Sequence, residues 1–379
     1  MHTNRDMLGQ PLGDERAVRV LIIDDSALIR KVLSEIFSTN SEFEVVGCAC
    51  DAYEARDMIK TLNPDVLTLD IEMPKMDGLT FLKNLMRLHP LPVIMLSTLT
   101  AKGADVTLQA MELGAIDFIQ KPGQAGIGML KQEFYDELFS KVKAASTTKI
   151  KLKNTGEKFR ADRRAEPPAM SSIRPAPTTN GRLIAIGSST GGTEALYEIL
   201  TRLPLGMPPI VITQHIPATF SHRFATRLNG RCQLTVKEAE HGELVQDSHV
   251  YIAPGGKHLK VKRQAGVLKC FIEDSESINR HKPSVEALFD STLHLGLSQL
   301  ITVMLTGMGH DGAASMLRTR DAGAITIAQD EATSLIWGMP GSAVKLGAAQ
   351  KVLPLEKISG SLVQLVTMPL TNNLHKSER

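Results

Sequence analysis

The sequence predicts an α/β protein made of two doubly wound parallel-sheet domains, and three observations carry that reading. Short β-branched runs alternate with amphipathic helical stretches across residues 18–142. A segment rich in Pro, Ser, Thr and charge then interrupts the pattern, and the same alternation returns from residue 182. Strands alternating with helices of this length build parallel sheets covered on both faces. A chain of 379 residues is also too long for one ordinary domain.

In the first domain the strands read as "VRVLIID", "EVVGCAC", "DVLTLD", "PVIMLS" and "AIDFIQ". The helical stretches between them are "SALIRKVLSEIFS", "AYEARDMIKTL", "LTFLKNLMRL" and "GADVTLQAMELG". Residues 143–181 include "KNTGEKFRADRRAEPPAMSSIRPAPTTNG", which has too few large apolar side chains to offset chain entropy and reads as a flexible basic tether. In the second domain, residues 182–368, the strands are "RLIAIG", "PIVITQ", "ITVMLTG" and "AITIAQ". Residues 234–273 read as antiparallel hairpins inserted into that domain. Residues 1–17 and 369–379 are tails.

The net charge of +2 conceals an uneven distribution. Residues 18–140 carry 11 basic and 18 acidic side chains, a net of −7, whereas residues 141–181 carry 10 and 3, a net of +7. An acidic first domain, and a second one without a basic recognition helix, argue against nucleic-acid binding. No apolar stretch approaches the length of a membrane span, and the first 17 residues lack the apolar core of a secretory signal. Four cysteines without CxxC spacing read as reduced thiols, so a cytoplasmic protein is expected, and a monomer.

Ligands collect beyond the carboxyl ends of strands in open parallel sheets. In the first domain those ends supply Asp24, Asp25, Asp70, Ser97 and Lys121. Three carboxylates at one edge repel one another unless a cation lies among them, and an oxygen-only set suits Mg²⁺. One carboxylate could then attack a phosphoryl group while the metal and the lysine neutralise developing charge. The bland alternative makes Asp24 and Asp25 helix caps and Lys121 a surface charge.

These residues, with "DIEMPKMDGL" after Asp70, make the domain resemble a response-regulator receiver of flavodoxin-like fold. The resemblance implies that Asp70 accepts a phosphoryl group from a histidine kinase. It implies that Asp24, Asp25 and Asp70 hold Mg²⁺ with the backbone carbonyl of Glu72. Ser97 would be the switch hydroxyl, Lys121 the phosphate-sensing lysine and Phe118 the mobile aromatic.

In the second domain "LIAIGSSTGGTEALYEIL" places Gly187, Ser189 and Gly191 in a G-x-S-x-G pattern between a strand and a helix. There a serine hydroxyl is exposed on a sharp turn, with helix N–H groups facing the site. Such a turn would also suit a phosphate or have no chemistry at all, but it lacks the spacing of a P-loop or dinucleotide fold. Other strand ends favour a nucleophile, for they deliver His215 and Asp311. A serine nucleophile needs a base, and that imidazole needs a carboxylate. Ser188 competes with Ser189, and His222, His241, His258, His281 and His310 compete as base. His258, on the β insertion, could line a substrate groove, and Ser284 reads as a helix cap.

"IGSSTGGTEAL", "QHIP", "YIAPGGKHL", "HKPSVEALF" and "MLTGMGHDGA" are similar, in the same order, to blocks of the chemotaxis protein-glutamate methylesterases. That resemblance implies hydrolysis of glutamyl methyl esters on cytoplasmic helices of chemoreceptors, with release of methanol and no cofactor for that step. Receptor glutamine deamidation is a further implied activity. Ser189 would be the nucleophile, His215 the base and acid, Asp311 the orienting carboxylate, and Thr190 and Met308 the supports of the oxyanion. Two other readings remain open, a non-enzymatic binding module behind the receiver and a general carboxylesterase.

Overall fold

The structure, a computed structural model, describes residues 16–97, 101–121, 132–148 and 181–368. Residues 1–15 of the first tail, all of the second and most of the expected tether lie outside these residues.

The first domain contains β1 (Val18–Ile23), β2 (Phe43–Ala49), β3 (Val66–Asp70), β4 (Val93–Ser97) and β5 (Asp117–Gln120). They form one sheet in the order β2-β1-β3-β4-β5, and every pairing is parallel. Every residue of β3 and β4 is buried, as central strands covered on both faces must be. The covering helices are α1 (Ala27–Ser38), α2 (Ala52–Leu62), α3 (Gly78–Leu88), α4 (Ala101–Glu112) and α5 (Gln132–Ser146). Ile29, Val32, Leu33, Ile36 and Phe37 give α1 a buried stripe at helical spacing, and Ser26 caps its first turn. Helix α5 runs past residue 142, the boundary that composition suggests, because Leu138, Val142 and Ala145 seat it on the sheet.

The second domain has seven parallel strands in the order β14-β13-β12-β6-β7-β9-β8. These are β6 (Arg182–Ser188), β7 (Ile210–Gln214), β8 (Thr235–Glu238), β9 (His249–Ile252), β12 (Gln299–Met304), β13 (Ile325–Gln329) and β14 (Lys351–Leu353). Helices α6 (Gly192–Leu200), α7 (Ala218–Asn229), α8 (Val285–Thr292), α9 (Ala313–Asp321), α10 (Met339–Lys345) and α11 (Leu355–Thr367) cover it. Strand order reverses between β6 and β12, so the loops after these two strands flank a crevice at the carboxyl edge.

Residues 234–273 depart from the expected run of antiparallel hairpins. Only β10 (His258–Gln264) and β11 (Val267–Glu273) form one, whereas β8 and β9 join the main sheet as parallel neighbours. The loop between β8 and β9 is not a hairpin turn. It runs beside β11, with Gly242 N–H on Cys270 O, Val245 N–H on Leu268 O and Cys270 N–H on Glu243 O, and so brings the chain back for a second parallel strand.

The two domains share a face. Helix α4 packs on α6 and α7, around a crevice lined by Leu108, Met111, Tyr197, Phe224 and Leu228. Phe118 at the edge of β5 stacks on Phe220 of α7, with ring centroids 4.4 Å apart. Arg223 pairs with Asp105, Arg227 with Glu112 and, further along, Arg280 with Asp136. Partly exposed pairs of this kind contribute about 0–1 kcal/mol each, so the apolar contact carries most of the attachment.

Candidate active site

Ser189 sits in the turn that joins β6 to α6, and packing dictates the glycines around it. Gly191 takes φ 78°, and a Cβ there would lie 2.7 Å from Leu335 Cβ. A Cβ at Gly307 would lie 2.7 Å from Ser189 Cβ, so the loop after β12 passes directly over the serine's turn. His215 follows β7 and extends its ladder by one bond, with its N–H on Ser188 O at 3.0 Å. Asp311 lies in the loop between β12 and α9, almost fully buried.

The three side chains meet. Ser189 Oγ is 3.1 Å from His215 Nδ1, and His215 Nε2 is 2.9 Å from Asp311 Oδ2. An ionised carboxylate only accepts, so Nε2 carries the proton and Nδ1 presents its lone pair to the Ser189 hydroxyl. Asp311 also accepts from Ser284 Oγ at 2.8 Å, Val285 N–H at 2.7 Å and Asn279 Nδ2 at 2.9 Å. Burial alone would raise its pKa, but the bonds from His215, Asn279 and Ser284 outweigh it and hold the carboxyl well below the usual range. The start of α8 contributes its dipole in the same direction.

Thr190 and Met308 flank this cluster, and their backbone N–H groups make no hydrogen bond among the described residues. The Thr190 hydroxyl is engaged, donating to Asp117 Oδ2 at the start of β5 in the other domain. Asp117 is held in turn by Lys141 of α5, whose ammonium lies 3.3 Å away and donates to Phe118 O at 2.7 Å.

At the carboxyl edge of the first sheet, Asp24, Asp25 and Asp70 present carboxylate oxygens within 4.8 Å of one another. Lys121 Nζ lies 2.7 Å from both Asp24 Oδ2 and Asp70 Oδ1. Burial, with Asp24 alongside, pushes Asp70 up to about 6 although Lys121 acts against the rise. The Glu72 backbone N–H also acts against that rise. Ser97 is buried with its hydroxyl 2.7 Å from Thr107 Oγ1 on α4. The donor set is all oxygen, and a hard divalent cation fits it.

The two sites correspond to two matched families. Residues 184–362 match the CheB methylesterase model, and residues 20–129 match the response regulator receiver domain model. The chain is 49% identical to the protein-glutamate methylesterase/protein-glutamine glutaminase 1 of Xanthomonas campestris pv. campestris over 353 residues, 93% of this chain and 98% of that one. It belongs to the CheB methylesterase family. A second relative, the protein-glutamate methylesterase/protein-glutamine glutaminase 2 of Saccharophagus degradans, is 50% identical over 92% of this chain and 99% of its own. Among solved structures, the Thermotoga maritima CheB methylesterase catalytic domain is 42% identical, with a TM-score of 0.47 over 48% of this chain and 97% of that one.

In this methylesterase-family chain the competing candidates have other places. Ser188 is buried and donates to Gln214 Oε1 at 2.6 Å. His258 lines no groove: it is buried, accepts the Ser284 N–H on Nδ1 and has Nε2 on Glu276 O. His222, His241 and His310 are exposed. Ser284 caps α8 as its position suggests, and its bond to Asp311 is an addition that capping propensity does not reveal. Phe118 lies on the interdomain face, packed against Phe220. Asp117, Lys141 and Asn279 carry no motif, and their places come only from the packing of the two domains and of the loop before α8.

Proposed function

We propose that this protein hydrolyses glutamyl methyl esters on cytoplasmic chemoreceptor helices, under the control of phosphorylation at Asp70. The observation that carries the reading is the bridging imidazole of His215, hydrogen-bonded to both Ser189 and Asp311. Ser189 Oγ attacks the ester carbonyl as its proton passes to His215 Nδ1. The backbone N–H groups of Thr190 and Met308 receive the oxyanion. The imidazolium, stabilised by Asp311, then protonates the leaving methoxide, and methanol departs from a glutamyl-Ser189 acyl-enzyme. Water gives a proton to His215 as its oxygen attacks the acyl carbon, and collapse returns the proton to Ser189 and releases glutamate. A glutamine amide would follow the same route with loss of ammonia, which agrees with the second activity in the relatives' names.

In the receiver, Asp24, Asp25 and Asp70 with the Glu72 carbonyl would hold Mg²⁺, which when bound supplies positive charge against phosphoryl oxygens. Asp70 takes the phosphoryl group from a histidine kinase, and Lys121 and Ser97 answer to it. The unphosphorylated receiver, docked on α6 and α7 and joined to Thr190 by Asp117, restricts the approach of receptor helices. This reading takes support from the position of Phe118, three residues before Lys121 on the strand that senses the phosphate and stacked on Phe220.

The test is methanol release from receptor fragments bearing methyl-glutamate, with and without a small phosphodonor and Mg²⁺. Absence of methanol in every condition would leave a binding module or an esterase for other substrates. Phe118→Ala is expected to raise the activity of the unphosphorylated full-length chain. Such a stack contributes about 0.5–1.5 kcal/mol, so the rise is about twofold to tenfold, and a fall in activity would remove the inhibitory role of the docked receiver.

A further inference from the structure

The segment before α8 makes a tight turn that enters the site described above only through the Asn279–Asp311 bond. Ile278 and His281 exchange backbone hydrogen bonds of 3.1 and 2.9 Å, and the two residues between them, Asn279 and Arg280, have φ of 52° and 67°. Two successive residues in the left-handed region are the signature of a two-residue turn in which asparagine suits the first position and glycine usually fills the second. An arginine kept at the second position is strained, so the turn beside a functional site is held by what its side chains contact.

The side chains of Asn279, Arg280 and His281 reach four groups. Asn279 Nδ2 donates to Asp311 Oδ1 at 2.9 Å and to Glu286 Oε2 at 2.7 Å, so both its N–H bonds are placed. Arg280 reaches Asp136 of α5 at 3.1 Å, an exposed pair too weak to hold the turn by itself. His281 lays its ring flat on His215, with centroids 3.7 Å apart and planes 15° from parallel.

We infer that the turn Ile278–His281 positions the triad, Asn279 fixing the Asp311 carboxylate and the His281 ring fixing the plane of His215. The inference rests on the triad reading given above. His215 must serve Ser189 from Nδ1 and Asp311 from Nε2 at the same time, and hydrogen-bond angles restrain a small roll of the ring through χ1 and χ2 only softly. A planar neighbour against one face removes that roll and excludes water from the face. The charged and titratable groups around His281 are His215, Asp311, His310 and Lys141 of α5. Burial first, and the proximity of His215 second, push His281 down to about 3, so it stays neutral beside the imidazolium that forms on His215.

The experiment is steady-state methanol release by the full-length phosphorylated protein and its variants His281→Leu, His281→Phe, Asn279→Ala and Ser189→Ala. His281→Leu fills similar space without a flat face and is expected to lower kcat about tenfold or more with KM unchanged, as misoriented catalytic groups do. His281→Phe restores a flat, uncharged ring and is expected to recover kcat to within about threefold of wild type. Asn279→Ala is expected to lower kcat in the same way. Equal losses in the Leu and Phe variants, or a His281→Leu kcat within twofold of wild type, would overturn the inference while leaving the triad in place. Retention of activity by Ser189→Ala would instead remove the triad reading itself.

Discussion

Replacing Ser189 by Ala is expected to lower methanol release from methylated receptor fragments by at least about 10³-fold. The variant deletes one oxygen and little else. Ser189 Oγ has its hydrogen bond to His215, while the turn is held by backbone bonds, Ser189 N–H on Thr306 O and Gly192 N–H on Ser189 O. The neighbouring glycines and the buried Ser188–Gln214 bond are untouched. Stability is therefore expected to fall by no more than about 1 kcal/mol, the scale of the one hydrogen bond lost at His215 Nδ1. Phosphodonor should not rescue the variant, because on the proposed reading phosphorylation acts on a site that has lost its nucleophile. What activity remains would come from oxyanion stabilisation and binding alone. A variant that keeps wild-type activity would move the nucleophile elsewhere, and the buried Ser188 and the capping Ser284 offer no plausible substitute.

Much of this architecture is legible in the sequence because its signals are local. Each strand of the first sheet is a short β-branched run, and the acidic residues that matter lie immediately after β1 or at the end of β3. Ser189 is legible for the same reason, as the G-x-S-x-G pattern sits at one strand-to-helix junction. His215 and Asp311 are found by asking what the other strand ends deliver. What stays hidden depends on contacts between segments far apart in the chain. Strand periodicity carries no information on direction, so β8 and β9 read as hairpin partners although hydrogen bonds along β11 steer them into a parallel sheet. Asp117 belongs to an ordinary strand, and nothing local shows that it meets Thr190 across the domain boundary. His258 illustrates the converse. A histidine beside a glycine turn looks available for substrate, yet its nitrogens serve the backbone of Ser284 and Glu276.

Replacing Asp311 by Asn is expected to cost about 10⁴-fold in kcat, the scale seen when a triad carboxylate becomes an amide. The physical reason is in the donors that surround it. His215 Nε2, Asn279 Nδ2, Ser284 Oγ and Val285 N–H all direct protons at Asp311. An amide has one acceptor oxygen and an NH₂ group, so at least one donor faces another donor. If the NH₂ turns toward His215, the imidazole must present Nε2 as an acceptor and shift its proton to Nδ1, where no lone pair remains for Ser189. If it turns away, the bonds from Ser284 and Asn279 are broken instead. Stability should fall as well, by about 1–3 kcal/mol for each buried donor left unmade. The effect has a pH signature. Asp311 in the folded protein lies below its ordinary value of 3.8, so wild type holds the extra stability at neutral pH and loses it as the medium is acidified below that value. The Asn variant has no such group, and the gap in unfolding free energy between the two proteins should narrow on acidification. Denaturant unfolding of both proteins at pH 7 and at successively lower pH measures that gap. A gap that stays constant, or widens, would mean that the carboxylate is not the charged acceptor its donors imply.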